Sequence, residues 1–125
     1  MLANNNAAAN IAVRDVKAAR AFYQGTLGLE EVSHMDDDVV VLKSGETVLV
    51  VYRSEFAGTN KATSVTWAVG PQIDDIVKEL RSKGVSFEHY DMPGTTLDGD
   101  IHVGHGIKVA WFKDPDGNIL NLIDQ

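Results

Sequence analysis

The sequence of 125 residues contains no cysteine. Disulfides, thiolate metal sites, thiol nucleophiles and iron–sulfur clusters are therefore excluded. Cations are also scarce, with 11 lysines and arginines against 18 aspartates and glutamates, and the formal net charge is −7. Because an acidic surface repels phosphate backbones and anionic lipids, we expect neither nucleic acid nor a membrane as a partner.

Long apolar runs and targeting patterns are missing as well. No stretch approaches the roughly 18 apolar residues of a membrane span. The opening residues, MLANNNAAAN, lack a basic segment followed by an apolar one, so we expect a cytoplasmic protein. Apolar residues make up 44% of the chain. A chain of this length should bury about two-thirds of its unfolded surface, and we expect a single domain over 1–125.

The chain contains an internal repeat. Ala12-Val13 recurs as Ala68-Val69, and Gly28 recurs as Gly84 at the same separation. Each pair brackets a segment with apolar residues at helical spacing, which predicts two amphipathic helices. We expect Asp15 to cap the first helix, and the two glycines to end the first and second helices respectively.

Extended segments surround both predicted helices. One strand precedes each helix, at about 7–13 and 63–69. The strands expected after the first helix are 30–35, 39–42 and 47–53, and those after the second are 85–90, 107–113 and 118–123. The sequence thus predicts an α+β fold of two βαβββ modules, at about 7–53 and 63–125. The second module is longer, and its extra residues are assigned to 91–106, a segment without strand periodicity that we interpret as a mobile flap over a site.

Three stretches give the sequence a resemblance to a known family: NIAVRD at 10–15, AFY and LGL within 21–29, and FKDPDGNIL at 112–120. They resemble the vicinal oxygen chelate superfamily of glyoxalases, bleomycin-resistance proteins and extradiol dioxygenases. The resemblance implies that both modules form a cupped, mostly antiparallel sheet with helices on its outer face, and that two chains pair as a homodimer. It does not select an activity, because members include isomerases, dioxygenases, transferases and antibiotic-sequestering proteins.

In the metal-dependent members, each module supplies two ligands, one from its first strand and one from its last. The resemblance places these positions at Ala8 and Leu49 in the first module and at Ser64 and Asn121 in the second. None is a histidine or a carboxylate, and the side chains of alanine and leucine carry no donor atom. We therefore expect no metal and no other cofactor.

Strand alternation predicts which side chains line the cup, because neighbours along a strand point to opposite faces. One face of each first strand is small or polar, which leaves room for a small molecule. Trp111 is preferred to Phe112 for the cup, and His89 to Glu88. The candidate ligand-binding residues are Asn10, Leu49, Ser64, Thr66, His89, His102, His105, Trp111 and Asn121. Two alternatives remain open: a shallow cup filled by aromatic side chains, and histidines that are merely solvated.

Two functions from different classes remain. The first is a metal-independent protein that binds a small molecule, similar to the antibiotic-sequestering members, with a cationic or aromatic ligand suited to the acidic chain. The second is a glyoxalase-like lyase or isomerase, or another enzyme of the superfamily, with an atypical or absent metal site and acid–base chemistry by His89, His102 or His105. Because no convergent acid–base pair can be named, the sequence favours binding and assigns no catalytic residue.

Overall fold

The computed structural model describes all 125 residues, which form two compact units, Met1–Thr59 and Asn60–Gln125. Each unit contains a β-sheet and a helical segment, so the predicted α+β class is confirmed. The longest α-helix has ten residues, and no helix combines the length and apolar character needed to cross a bilayer.

The first unit contains a four-stranded sheet. Its strands are β1 (Ala9–Val13), β2 (Glu30–Met35), β3 (Val39–Ser44) and β4 (Thr47–Arg53), in the order β1-β4-β3-β2. β1 and β4 are parallel, whereas the other pairs are antiparallel. Helix α1 (Val16–Arg20) begins after Asp15, whose carboxylate accepts a hydrogen bond from the backbone N–H of Lys17 at 2.9 Å, as a capping residue does. It continues as a π-helix over Ala21–Thr26.

The second unit repeats this order and adds a hairpin. Its strands are β5 (Thr63–Ala68), β6 (Phe87–Glu88), β7 (Thr95–Asp98), β8 (Ile101–Gly104), β9 (Ile107–Lys113) and β10 (Ile119–Ile123). The main path is β5-β10-β9-β8-β7, and the short β6 also pairs with β9. A 3-10 turn that contains Pro71 leads into helix α2 (Ile73–Ser82), and the chain leaves the helix through Gly84 at φ +92°.

The prediction that residues 91–106 form a flap without strands is wrong. β7 and β8 pair with each other, and β8 pairs with β9, so the segment extends the sheet. Ile101 and His102 are buried within it. Strands of four residues provide too few alternations to produce a visible period, and the glycines between them resemble a loop.

Each unit has its own apolar core. In the first unit the buried strand residues include Ile11, Val13, Val40, Leu42, Leu49 and Val51. In the second, Phe112 is completely buried, with Trp67 stacked on it at 6.4 Å between ring centroids and Phe87 edge-on at 5.7 Å. Helix α2 contributes Ile73, Val77 and Leu80. Burial of one such aromatic side chain contributes roughly 2 kcal/mol relative to exposure, so the aromatic core stabilises the unit.

The turn between β9 and β10 is closed by a buried aspartate. One carboxylate oxygen of Asp114 accepts hydrogen bonds from the backbone N–H groups of Asp116 and Asn118, each at 2.9 Å, and the other accepts from the Asn118 side chain at 2.8 Å. Gly117 adopts φ +90°, which favours glycine. The motif at 114–118 therefore builds a turn and positions β10.

Candidate functional site

The register of the second sheet separates a core face from a polar face. Leu120 and Leu122 pair with Phe112 and Ala110, and all four side chains are buried. The intervening residue Asn121 pairs with Trp111 on one side and Thr66 on the other. We call the side that carries Thr66, Asn121 and Trp111 the polar face, and these side chains are half-buried or exposed.

His102, Trp111 and Tyr90 form an aromatic cluster on the polar face. The rings of His102 and Trp111 meet edge to face at 4.8 Å between centroids. Tyr90 lies 5.3 Å from Trp111, also edge to face, and 6.4 Å from His102. The indole N–H of Trp111 donates to the hydroxyl of Thr63 at 3.2 Å, which fixes the orientation of the ring. Such edge-to-face pairs add to burial and hold the rings in a defined arrangement.

Only one of the two ring nitrogens of His102 has a hydrogen-bond partner. Its side chain is 1% exposed, and its Nε2 lies 3.0 Å from the backbone nitrogen of Tyr90 and 3.1 Å from the Tyr90 carbonyl oxygen. One neutral tautomer accepts from that N–H and the other donates to that carbonyl, so Nε2 is satisfied in either form. Nδ1 is buried and has no partner. An unpaired buried nitrogen costs about 1–3 kcal/mol. A polar group kept at such a cost beside a pocket is a candidate for function.

A charged cluster adjoins the aromatic one. Asp100 directly precedes β8 and accepts hydrogen bonds from His89 Nε2 at 2.7 Å and from the Arg81 guanidinium at 2.5 Å. The hydrogen bond from His89, joined by that from Arg81, holds the pKa of Asp100 below its usual value, although partial burial acts in the opposite direction. The cluster ties α2 to the hairpin and presents the His89 ring 6.3 Å from that of His102.

A pocket of about 330 Å³ opens beside both clusters. Its walls include His89, Tyr90, Asp91, Met92, Leu97 and His102. The volume lies within the range of small-molecule sites. Apolar, aromatic and polar side chains therefore converge on one cavity of the second unit.

Leu49 is not at a ligand position, which corrects the sequence prediction. It is 5% exposed and pairs with Leu42 and Ala9, on the core face of the first sheet. Val50 pairs with Asn10, just as Asn121 pairs with Thr66, so Val50 is the counterpart of Asn121. The repeat alignment through the turn glycines is one residue out of register, and a shift of one residue along a strand exchanges its two faces.

The corrected donor positions do not fit a resident metal ion. Ala8 and Val50 offer no donor atom, and Ser64 and Asn121 offer only a hydroxyl and an amide. No group of three or more histidine, aspartate or glutamate side chains is arranged to hold a metal ion. Asn121 Oδ1 is buried and unpaired, so the ligand position that the resemblance assigns to this residue carries a neutral acceptor without a partner.

The remaining predicted residues are dispersed. Ser64 lies at the register shift between β5 and β10, and Asn10 is exposed on β1 of the first unit. His105 occupies the turn between β8 and β9 at φ +53°, and its Nε2 lies 2.9 Å from the Pro93 carbonyl oxygen. His105 thus braces the hairpin and is absent from the aromatic cluster.

Sequence reasoning missed Tyr90 and Asp100. Alternation along an assumed strand at 85–90 placed Tyr90 opposite His89, but β6 ends at Glu88. Beyond that point the chain is irregular, so both side chains reach the same pocket. The only available signal for Asp100 was its place between Gly99 and an apolar residue, which is typical of a hairpin turn.

Comparisons with known proteins identify the family. The model of the Glyoxalase/Bleomycin resistance protein/Dioxygenase superfamily matches residues 6–122. A bleomycin-binding protein complexed with bleomycin is similar over 98% of this chain and 99% of that chain, at 22% identity and a TM-score of 0.71.

Two further solved structures share the fold at lower identity. The lactoylglutathione lyase of Agrobacterium tumefaciens has 17% identity and a TM-score of 0.69 over 96% of this chain and 92% of that one. The fosfomycin resistance protein FosX of Mesorhizobium loti has 11% identity and a TM-score of 0.70 over 98% and 92%. No curated protein matches the sequence. The family match covers nearly the whole chain, and the chain belongs to the Glyoxalase/Bleomycin resistance protein/Dioxygenase superfamily.

Proposed function

We propose that this chain binds a small organic molecule without a metal ion, and that the aromatic cluster of the second unit contacts it. The observation that carries the proposal is the buried His102, whose Nδ1 has no partner and whose ring packs against Trp111 beside the pocket. The similarity to a bleomycin-binding protein supports a binding role for this fold. The donor set described above supports a metal-independent one.

The walls of the pocket favour an aromatic or cationic ligand. Tyr90 lines the pocket and offers an aromatic ring for stacking or cation–π contact, and Trp111 packs edge-on against it. Asp91 adds a carboxylate to the lining, and the net charge of −7 attracts cations over longer distances. A planar cation would use both features at once.

The two tryptophans provide a direct test. Trp111 lies in the aromatic cluster and Trp67 in the core, and the chain has no other tryptophan. The Trp67→Phe variant therefore reports on the cluster alone, and the Trp111→Phe variant reports on the core. The panel consists of aromatic cations and neutral aromatics, with metal-free bleomycin included and EDTA present. We expect it to contain a ligand that saturably changes the tryptophan emission of Trp67→Phe and leaves that of Trp111→Phe unchanged.

Substitution of His102 sharpens the test. His102→Gln should weaken the affinity for that ligand about tenfold or more, the loss of a well-placed contact. His34→Gln is the matched control, because His34 lies exposed on β2 of the first unit. The proposal fails if no compound of the panel binds saturably, or if binding requires added Ni²⁺, Zn²⁺ or Mn²⁺.

A second candidate function is acid–base catalysis, and one observation favours it. His89 and His102 line the same pocket, and the bond from His89 Nε2 to Asp100 leaves His89 Nδ1 for a substrate. If a bound ligand is also converted, His89→Gln should abolish turnover and preserve affinity. Equal rates in the wild type and His89→Gln would exclude this role for His89.

A homodimer and a cytoplasmic location belong to the proposal. The edge strand β2 is exposed along its whole length and carries Val32, 52% exposed, and Met35, 68% exposed. Such an edge supports pairing with a second copy. Sedimentation equilibrium of the wild type and of Val32→Lys tests this, with a monomeric variant expected. The absence of cysteine accords with a cytoplasmic location.

A further inference from the structure

A second concentration of functional groups lies in the first unit, whereas the residues of the aromatic cluster belong to the second. β1 and β4 are parallel, and Val13 pairs with Arg53 at their carboxyl ends. Arg14 directly follows β1, so two arginines emerge at the same edge of the sheet. Helix α1 starts immediately afterwards and adds Lys17 and Arg20. We call these four residues the basic pocket.

Cavities lie against these cations. One of about 520 Å³ is lined by Arg14, Arg53, Ser54 and Glu55. An adjoining one of about 500 Å³ shares Arg14 and Arg53 and is also lined by Lys17 and Arg20. Each cavity is large enough for a small metabolite.

The charge of the basic pocket contrasts with that of the whole chain. Four of the 11 lysines and arginines gather here, although the chain carries a net charge of −7. Lys17 and Arg53 form no ion pair. Three carboxylates line the two cavities beside these cations. Asp15, which caps α1, and Asp37 line the cavity of about 500 Å³, and Glu55 lines the cavity of about 520 Å³.

Arg20 provides an independent observation. Its terminal nitrogen pairs with Glu31 at 2.8 Å, whereas its Nε is buried and has no acceptor. A buried guanidinium N–H without an acceptor is costly. The wall of the pocket thus contains a cation whose hydrogen-bonding capacity is only partly used.

We propose that the basic pocket binds a compact oxyanion, the phosphate or carboxylate group of a small molecule. Guanidinium groups match both groups through paired N–H donors, and Lys17 adds a mobile point charge. The ligand is small, because the net charge of −7 on the chain repels long polyanions. This site is independent of the proposed aromatic site, and neither requires the other.

The test uses the full chain and inorganic phosphate, with succinate as a second arm and sodium chloride as the ionic-strength control. Backbone amide chemical shifts of residues 14–17 and 53–54 are followed during each titration. Saturable shifts are expected with phosphate, succinate or both, and the stronger ligand shows whether phosphate or carboxylate is preferred. Arg53→Gln should weaken the apparent affinity about tenfold, as loss of a charge-assisted hydrogen bond does.

Lys43→Gln is the matched control. Lys43 is exposed on β3 of the same unit, so this variant makes the same change in net charge outside the pocket. Its affinity should stay within about twofold of the wild type, as expected for a screened surface charge. Arg53 is itself exposed, so loss of folding is not expected in its variant. Shifts that rise linearly, that chloride reproduces, or that weaken equally in both variants would overturn the proposal.

Discussion

The two units share one chain order, but they place different chemistry on the face opposite the core. In the first unit Asn10 pairs with Val50, and neither residue is aromatic or a histidine. In the second, the corresponding pair of Thr66 and Asn121 continues across the sheet to Trp111. Duplication of a βαβββ unit therefore conserves the scaffold, while side chains on the alternate positions of the strands are free to acquire separate roles.

The edges of the two sheets differ in the same way. The first sheet ends in β2, a six-residue strand. In the second, the outer side of β9 is shared between the two-residue β6 and the hairpin of β7 and β8. This division leaves residues 89–94 outside regular structure, and they bring Tyr90 to His102. The pocket of the second unit thus results from an interrupted edge.

The largest expected effect is a difference in stability between substitutions on the two faces of β9. Phe112→Ala should destabilise the protein by about 3–5 kcal/mol, because it removes a completely buried ring between Trp67 and Phe87. Trp111→Ala should cost clearly less, since Trp111 is only half-buried, and should mainly reduce ligand affinity. Urea unfolding measures both. Equal destabilisation would show that the polar face is a second core.

A pair of glycine substitutions compares one hairpin in each unit. A methyl group at Gly104 would clash with the carbonyl oxygen of Gly94, so Gly104→Ala should displace the hairpin and cost about 1–3 kcal/mol. Gly45 lies in the turn between β3 and β4 at φ +58° with open space around it, and Gly45→Ala should cost only the backbone strain, about 1 kcal/mol.

Amide hydrogen exchange shows which region each of these two substitutions destabilises. Faster exchange should be confined to the amides of β7 and β8 in Gly104→Ala. Faster exchange throughout the second unit would show that the hairpin is integral to its core, contrary to its peripheral place in the sheet.

The smallest expected effect concerns the charged cluster. The pKa of Asp100 is lowered by the hydrogen bond from His89, so its carboxylate stabilises the folded state above the ordinary aspartate pKa of about 3.9. That contribution is lost as the pH falls through the lowered value. Asp100→Asn should therefore be less stable than the wild type at pH 7, by about 1 kcal/mol or less, and the difference should shrink towards pH 3.

Asp98→Asn is the control for this comparison, because Asp98 is exposed on β7 and forms no ion pair. Denaturant unfolding at a series of pH values measures both variants. A difference between the wild type and Asp100→Asn that grows at low pH would contradict the assigned sign.

The sequence predicted most of the fold and part of the candidate site. The helices, their glycine ends and most of the strands follow from periodicity and from strong turn residues such as Gly28 and Gly84. Trp111 and Asn121 follow from alternation along regular strands, and the structure places them in one cross-strand pair. The prediction that Leu49 lies at a ligand position was wrong because the alignment of the repeat was one residue out of register. A shift of one residue moves a side chain to the opposite face of the strand.

The sequence by itself determined the class of the protein, because the repeat, the family motifs and the absence of cysteine are all properties of local order along the chain. Only the tertiary structure decided which groups meet. The pairing of β8 with β9 buries His102 beside Trp111, and the parallel pairing of β1 with β4 brings Arg14 and Arg53 to one edge. Both are contacts between residues far apart in sequence, and such contacts depend on strand order and register, which no local pattern encodes.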